Sequence, residues 1–84
     1  MRLHFTKHAT QKFSLQRKAG FPLPKTKVKT AILRPDRLER GREEVFIATK
    51  VLDEEFALRV VYRKTDDIIV IITFYPVKRS DYEI

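Results

Sequence analysis

The chain has 84 residues and no cysteine, which predicts one domain over residues 1–84 and excludes disulfides and cysteine-ligated zinc. Its formal net charge is +7, and residues 1–35 contain nine Lys or Arg without a single acid, whereas residues 36–84 contain nine Lys or Arg and eleven Asp or Glu. The longest apolar run, residues 68–75, is too short to span a bilayer, and no signal-peptide stretch is seen, so we expect a cytoplasmic protein.

The first elements predicted along the chain are a short strand and a helix. Residues 2–5 alternate between polar and apolar side chains, which is typical of a strand. Thr6 is a suitable N-cap for a helix over residues 7–20, and Gly20 suits the C′ position that ends a helix. The spacing predicts that Ala9 and Phe13 share a core-facing stripe on this helix, with Leu15 near it.

A second helix follows the connector FPLP, residues 21–24. Pro24 fits the first turn of a helix over residues 25–34, and Pro35 stops it. Its predicted core-facing residues, at i, i+3 and i+4, are Val28, Ala31 and Ile32.

The second half changes to strand periodicity. Residues 35–44 are predicted to be a polar turn region, Pro76 is predicted to end the last strand, and residues 77–84 to form a loose tail or a short edge element. Antiparallel strands are predicted over residues 44–52, 56–63 and 68–75, joined by turns. The order β-α-α-β-β-β predicts an α+β fold in which two helices pack on a small antiparallel sheet.

Arg59 lies in the middle of the second of these strands, among apolar residues. Alternation places it on the face opposite Leu58 and Val60. A guanidinium in such a place must be paired or must face a groove. Two interpretations stay open: an ion pair with a carboxylate, for which the turn at residues 53–55 is a candidate source, or a phosphate clamp on the open face of the sheet.

His8, one turn into the first helix beside Lys7, has a side chain suited to general acid or base catalysis near neutral pH. The alternative is an imidazole packed against the sheet and hydrogen-bonded to backbone. His4 and His8 lack a third ligand at suitable spacing, so no metal site and no cofactor are expected.

Tyr75, Arg79 and Tyr82 follow one another at the exit of the last strand. Phenol rings and a guanidinium there can stack on a base or hold a phosphate, or else they pack and are solvated as ordinary strand-end residues. The remaining candidates for contact with an RNA backbone are Lys7, Lys12, Lys25 and Lys29.

Three segments resemble those of a small prokaryotic family, domain of unknown function 4258: FTKHA at residues 5–9, LRVVY at 58–62 and IIVIITFYPV at 68–77. That family is similar to the RelE/ParE-like toxin superfamily, including the BrnT toxins, and the resemblance spans nearly the whole chain. It implies a RelE-like fold, metal-independent cleavage of messenger RNA by 2′-hydroxyl attack, and an acidic antitoxin partner.

Carried over by motif, the resemblance implies functional roles for Lys7, His8, Arg59, Thr73 and Tyr75. The leading hypothesis is a toxin-like RNA endonuclease, in which Arg59 stabilises the developing phosphate charge and His8 or Tyr75 moves a proton. RNA or the ribosome is then the partner, and a homodimer is left open.

The alternative hypothesis is a non-catalytic basic module that binds nucleic acid or an acidic protein. Binding to an anionic membrane surface ranks last, because the two predicted helices lack the large apolar face that such binding needs.

Overall fold

Five strands and three helices occupy Arg2–Ile84, the residues that the computed structural model describes. The α+β class predicted from the sequence is confirmed, with four strands and a short helix after the first two helices. In chain order the elements are β1 (Arg2–Phe5), α1 (Lys7–Lys18), α2 (Lys25–Leu33), β2 (Arg37–Arg40), β3 (Val45–Val51), β4 (Phe56–Thr65), β5 (Ile68–Lys78) and α3 (Arg79–Tyr82).

The strands form one mixed sheet in the order β1-β5-β4-β3-β2. Strands β2 to β5 are antiparallel to their neighbours, as expected for a meander, but β1 pairs with β5 in parallel. The prediction of a purely antiparallel sheet is therefore wrong at one edge. A bulge between Val61 and Tyr62 shifts the register of β4 against β5.

Helix α1 begins and ends as its sequence predicts. The Thr6 hydroxyl accepts a hydrogen bond from the Ala9 N–H at 3.1 Å, so Thr6 is the N-cap. At the other end Gly20 adopts φ 81°, and the N–H groups of Gly20 and Phe21 donate to the carbonyls of Arg17 and Gln16. This is a Schellman motif, which satisfies carbonyls that would otherwise lack partners.

The core lies between α1, α2 and one face of the sheet. Ala9 of α1 is buried, and Phe13 packs on Phe74 of β5 with ring centroids 4.6 Å apart. Leu15, which was expected near this stripe, is 56% exposed and lies outside the core. The other core residues include Val28, Ala31, Ile32, Ala48, Leu58, Val60, Tyr62, Ile69 and Ile71.

Three boundaries in the second half differ from prediction. The polar segment predicted as a turn contains the edge strand β2, whose residues pair with Phe46–Thr49. Strand β5 continues through Pro76 to Lys78, and residues 79–82 form the short helix α3.

No helix within Arg2–Ile84 has the length and apolar character needed to cross a membrane.

Candidate functional site

The two faces of the sheet have different neighbours. Leu58, Val60 and Tyr62 of β4 face the helices and belong to the core. Because side chains alternate along a strand, Arg59 and Val61 face the opposite side. We call this side the open face; α3 reaches it at one end, where the Tyr82 ring lies on Arg59.

Arg59 is the buried charge of the open face, with 7% of its surface exposed. Its Nη2 lies 3.2 Å from Oε2 of Glu39, on edge strand β2. Its Nε donates to the hydroxyl of Tyr75 at 3.3 Å, and its Cζ lies 4.4 Å from the centroid of the Tyr82 ring. The guanidinium is therefore held by a carboxylate, a phenol oxygen and an aromatic face.

These contacts also set the acid–base state of Arg59. Burial alone would lower its pKa, but the hydrogen bond to Tyr75 and the nearby charge of Glu39 outweigh burial and raise the pKa above its ordinary value. Arg59 is thus a permanent cation, suited to stabilising negative charge and unable to act as a general base.

The register of the strands explains why these side chains meet. Arg59 pairs with Tyr75 on one side and with Thr49 on the other, and Thr49 pairs with Arg37 of β2. One row across the open face therefore runs from Tyr75 through Arg59 and Thr49 to Arg37. Glu39, two residues beyond Arg37 on the same strand face, reaches back to Arg59.

His8 lies beside the neighbouring row. Its Nε2 is 3.1 Å from Oγ1 of Thr73, and the imidazole is exposed. The hydrogen-bond partner is therefore a side chain, in contrast to the backbone contact considered from the sequence. Thr73 and Tyr75 are two residues apart on β5, about 7 Å along a strand. In the structure Arg59 contacts Tyr75, whereas His8 contacts Thr73, which lies two residues from Tyr75 along β5.

Arg79 connects the last residues of the chain to the turn at residues 53–55. Its Nη1 donates to the carbonyl of Asp53 at 3.1 Å, and its Nε donates to that of Ile84 at 3.0 Å. Most of its hydrogen-bonding capacity is thus used within the chain, and a role in RNA binding remains a prediction.

Within Arg2–Ile84, none of the basic residues of the first section, residues 2–34, forms a salt bridge. The four salt bridges found among Arg2–Ile84 all join residues of the section 36–84: Arg37–Glu39, Lys50–Asp36, Arg59–Glu39 and Arg63–Glu43. Lys7 and Lys29 are exposed on α1 and α2, Lys12 is half-buried, and exposed Lys25 lies 5.4 Å above the Phe5 ring. The positive charge of this section is thus available to a partner.

Glu39 is the member of this site that sequence reasoning missed. The turn at residues 53–55 was a candidate source of a carboxylate for Arg59, but the carboxylate comes from β2. The one available signal was the alternation of Arg37, Leu38 and Glu39, which is typical of a strand with one polar face.

No protein-family model, no curated protein and no solved structure matches this chain. Membership of the family that the sequence resembles, and of the RelE/ParE-like superfamily, therefore stays a prediction.

Proposed function

We propose that this protein is a basic module that binds the sugar–phosphate backbone of RNA. The observation that carries the proposal is the unpaired positive charge of residues 2–34, which has no acid within it and no salt bridge to the described remainder of the chain. Lysine and arginine side chains supply most of the affinity of a protein for nucleic acid, by neutralising phosphates and releasing counterions.

The outward face of α2 supports a phosphate ligand over an acidic protein. A shallow depression there is lined by Thr26, Lys29, Thr30, Leu33 and Arg34. The Thr30 hydroxyl donates to the Thr26 carbonyl at 2.8 Å, which leaves the Lys29 and Arg34 cations and the Thr26 hydroxyl as donors toward a ligand. Cationic and hydroxyl donors of this kind are the usual contacts to backbone phosphates. The sequence resemblance described above favours RNA over DNA as the nucleic acid.

The test is equilibrium binding to a single-stranded RNA oligonucleotide over a range of salt concentrations. Affinity should fall steeply with salt, with a slope of about 0.7 in log–log form for each phosphate contact. A duplex DNA of equal length and a polyglutamate chain serve as competitors. Displacement by polyglutamate as effective as displacement by RNA would overturn the proposal in favour of an acidic protein partner.

A second candidate is the toxin-like RNA endonuclease, and the arrangement on the open face favours it. Arg59, hydrogen-bonded to Tyr75, would stabilise charge on a scissile phosphate, and His8 beside Thr73 would transfer a proton. The proposal of this activity also includes a RelE-like fold, action at the ribosome, a cytoplasmic location and an acidic antitoxin.

The burial of Arg59 and its pairing with Glu39 are the main obstacle to catalysis. A guanidinium that is 7% exposed and paired with Glu39 cannot meet a phosphate without a local rearrangement. The test is RNA cleavage with and without ribosomes, and growth on expression, for the wild type, Arg59→Ala and His8→Ala. Absence of cleavage and of growth arrest in the wild type would leave the binding module as the function.

A further inference from the structure

We propose that Arg59 forms a nucleotide-binding site that other residues of this chain occupy. Glu39 lies where an RNA phosphate would bind, and the Tyr82 ring lies where a base would stack. We call residues Arg79–Ile84 the C-terminal cap, and it must move for RNA to reach Arg59. This inference rests on the proposed function, because it requires an RNA ligand.

The chemistry of the two groups on Arg59 is that of a nucleotide. A guanidinium binds carboxylates and phosphates through the same fork of N–H donors. It also accepts an aromatic plane on its face, which in RNA recognition is an unstacked base. Glu39 at 3.2 Å and the Tyr82 ring at 4.4 Å fill these two positions.

The internal ion pair uses only part of the capacity of Arg59. Glu39 Oε2 lies near Nη2 without making a hydrogen bond, and Nη1 of Arg59 is buried with no hydrogen-bond partner. Oγ1 of Thr49, the residue paired with Arg59 on β3, is likewise buried and without a partner. Buried donors normally find partners, so a phosphate with several oxygens would satisfy this site better than Glu39 does.

The C-terminal cap is attached to the rest of the chain by a few hydrogen bonds, which include that of Arg79 Nη1 to the Asp53 carbonyl at 3.1 Å. Helix α3 has four residues and none of them is buried. Polar contacts attach the cap: Arg37 Nη1 donates to the Tyr82 carbonyl at 3.0 Å, and the Arg79 N–H donates to the Glu55 carbonyl at 2.9 Å. Segments that bury little apolar surface open at low free-energy cost, and the cap has that character.

The experiment compares RNA affinity in variants of the cap and of Glu39, each checked for folding by its ¹H–¹⁵N spectrum. Tyr82→Ala should bind single-stranded RNA at least about threefold tighter than wild type, because the stacked ring no longer competes. Tyr82→Phe keeps the ring and should match wild type. Glu39→Gln should gain more than Glu54→Gln, an exposed change of equal charge.

If the gain in RNA affinity depends on Arg59, it comes from opening of this site; a gain that is independent of Arg59 is a general increase in affinity. In the Arg59→Lys background, which keeps the charge but lacks the planar fork, Tyr82→Ala should give no gain. Addition of RNA should shift the Arg59 Nε resonance in Tyr82→Ala more than in the wild type.

The outcomes distinguish the two proposals. A wild type that binds RNA while Tyr82→Ala binds equally or more weakly would overturn the cap and leave the proposed function intact. A gain that persists with Arg59→Lys would also overturn it. Failure of the wild type and of every variant to bind RNA would remove both proposals.

Discussion

At the scale of single residues, the pairing of Arg59 with Glu39 combines one buried and one accessible partner. The Arg59 side chain is 8% exposed, whereas that of Glu39 is 39% exposed. Removing Glu39 is costly because it leaves the buried Arg59 cation without compensation, whereas removing Arg59 leaves a carboxylate that solvent partly reaches. Arg59 therefore depends on Glu39 more than the reverse.

A double-mutant cycle measures this dependence. Glu39→Ala should lower the free energy of unfolding by about 2 kcal/mol, and its coupling to Arg59→Ala should be about 1–2 kcal/mol. The matched control is Arg63 with Glu43, separated by 3.9 Å with Glu43 85% exposed, whose coupling should stay below about 0.5 kcal/mol. Equal couplings in urea-unfolding experiments would show that burial of Arg59 carries no special energy.

The turn between β2 and β3 contains two consecutive residues with an unusual backbone conformation. Glu43 and Glu44 have φ values of 53° and 62°, and the Val45 N–H donates to the Arg42 carbonyl. Two consecutive positive φ angles within such a bond define a type I′ turn, for which Asn-Gly is the preferred sequence. Glutamates here are strained, and because they are not the residues that such a turn prefers, no hairpin is predicted from this segment.

Replacing both residues should therefore stabilise the protein. Glu43→Asn with Glu44→Gly should raise the free energy of unfolding by about 1 kcal/mol, because the strain of left-handed backbone is relieved. The control is Glu54→Gly, where φ is not positive and a glycine should destabilise. Thermal or urea unfolding that shows no gain for the Asn-Gly variant would contradict the turn geometry.

At the scale of elements, prediction succeeded where a local signal was strong. The cap of α1 by Thr6, its end at Gly20 and the core stripe of α2 depend on residues close together in sequence. Strand β2 was missed because its side chains are mostly charged and the turn that joins it to β3 lacks the residues typical of a hairpin. The parallel pairing of β1 with β5 was missed because it is a long-range contact.

The open face shows the same limit. Alternation placed Arg59 away from the core, which the structure confirms, because the pattern is local. The identity of its partners depended on the register of four strands and on the path of the chain after Lys78, which no local pattern encodes. The turn at residues 53–55 was therefore a reasonable but wrong candidate for the carboxylate.

The turn between β3 and β4 predicts an effect of pH on stability. Oδ1 of Asp53 accepts hydrogen bonds from the N–H groups of Glu55 and Phe56, and these lower the pKa of Asp53 below its ordinary 3.8. A lowered pKa in the folded state stabilises the fold above pH 3.8, and this contribution is lost as pH falls below that value through the lowered pKa.

Asp53→Ala tests this sign. The variant should unfold at lower urea concentration than the wild type at pH 7, and the difference should shrink below pH 3.8 as the wild-type carboxylate is protonated. Asp67→Ala, at an exposed turn position, is the control for the general effect of an Asp-to-Ala change in a turn. A difference that stays constant from pH 7 to pH 2.5 would contradict the role of the ionised Asp53.

At the scale of the whole molecule, charge divides the chain into two sections. The four salt bridges found among Arg2–Ile84 all lie within residues 36–84, while residues 2–34 present their cations on β1, α1, α2 and their connections. The excess of positive charge in residues 2–34 can be predicted by counting residues in the sequence. The absence of salt bridges between the two sections, within Arg2–Ile84, could not be predicted, because it depends on the fold. The RNA-binding proposal depends on that separation.

The most direct test of the separation compares two triple variants of equal net charge. One replaces Lys7, Lys25 and Lys29 with Gln in the first section, and the other replaces Arg42, Lys64 and Lys78 with Gln in the second. The measurement is the slope of log affinity for single-stranded RNA against log salt concentration. We expect the first variant to lose about 2 units of slope, close to 0.7 for each phosphate contact, and the second to lose little. Equal losses in the two variants, or no salt-dependent RNA binding by the wild type, would contradict the account.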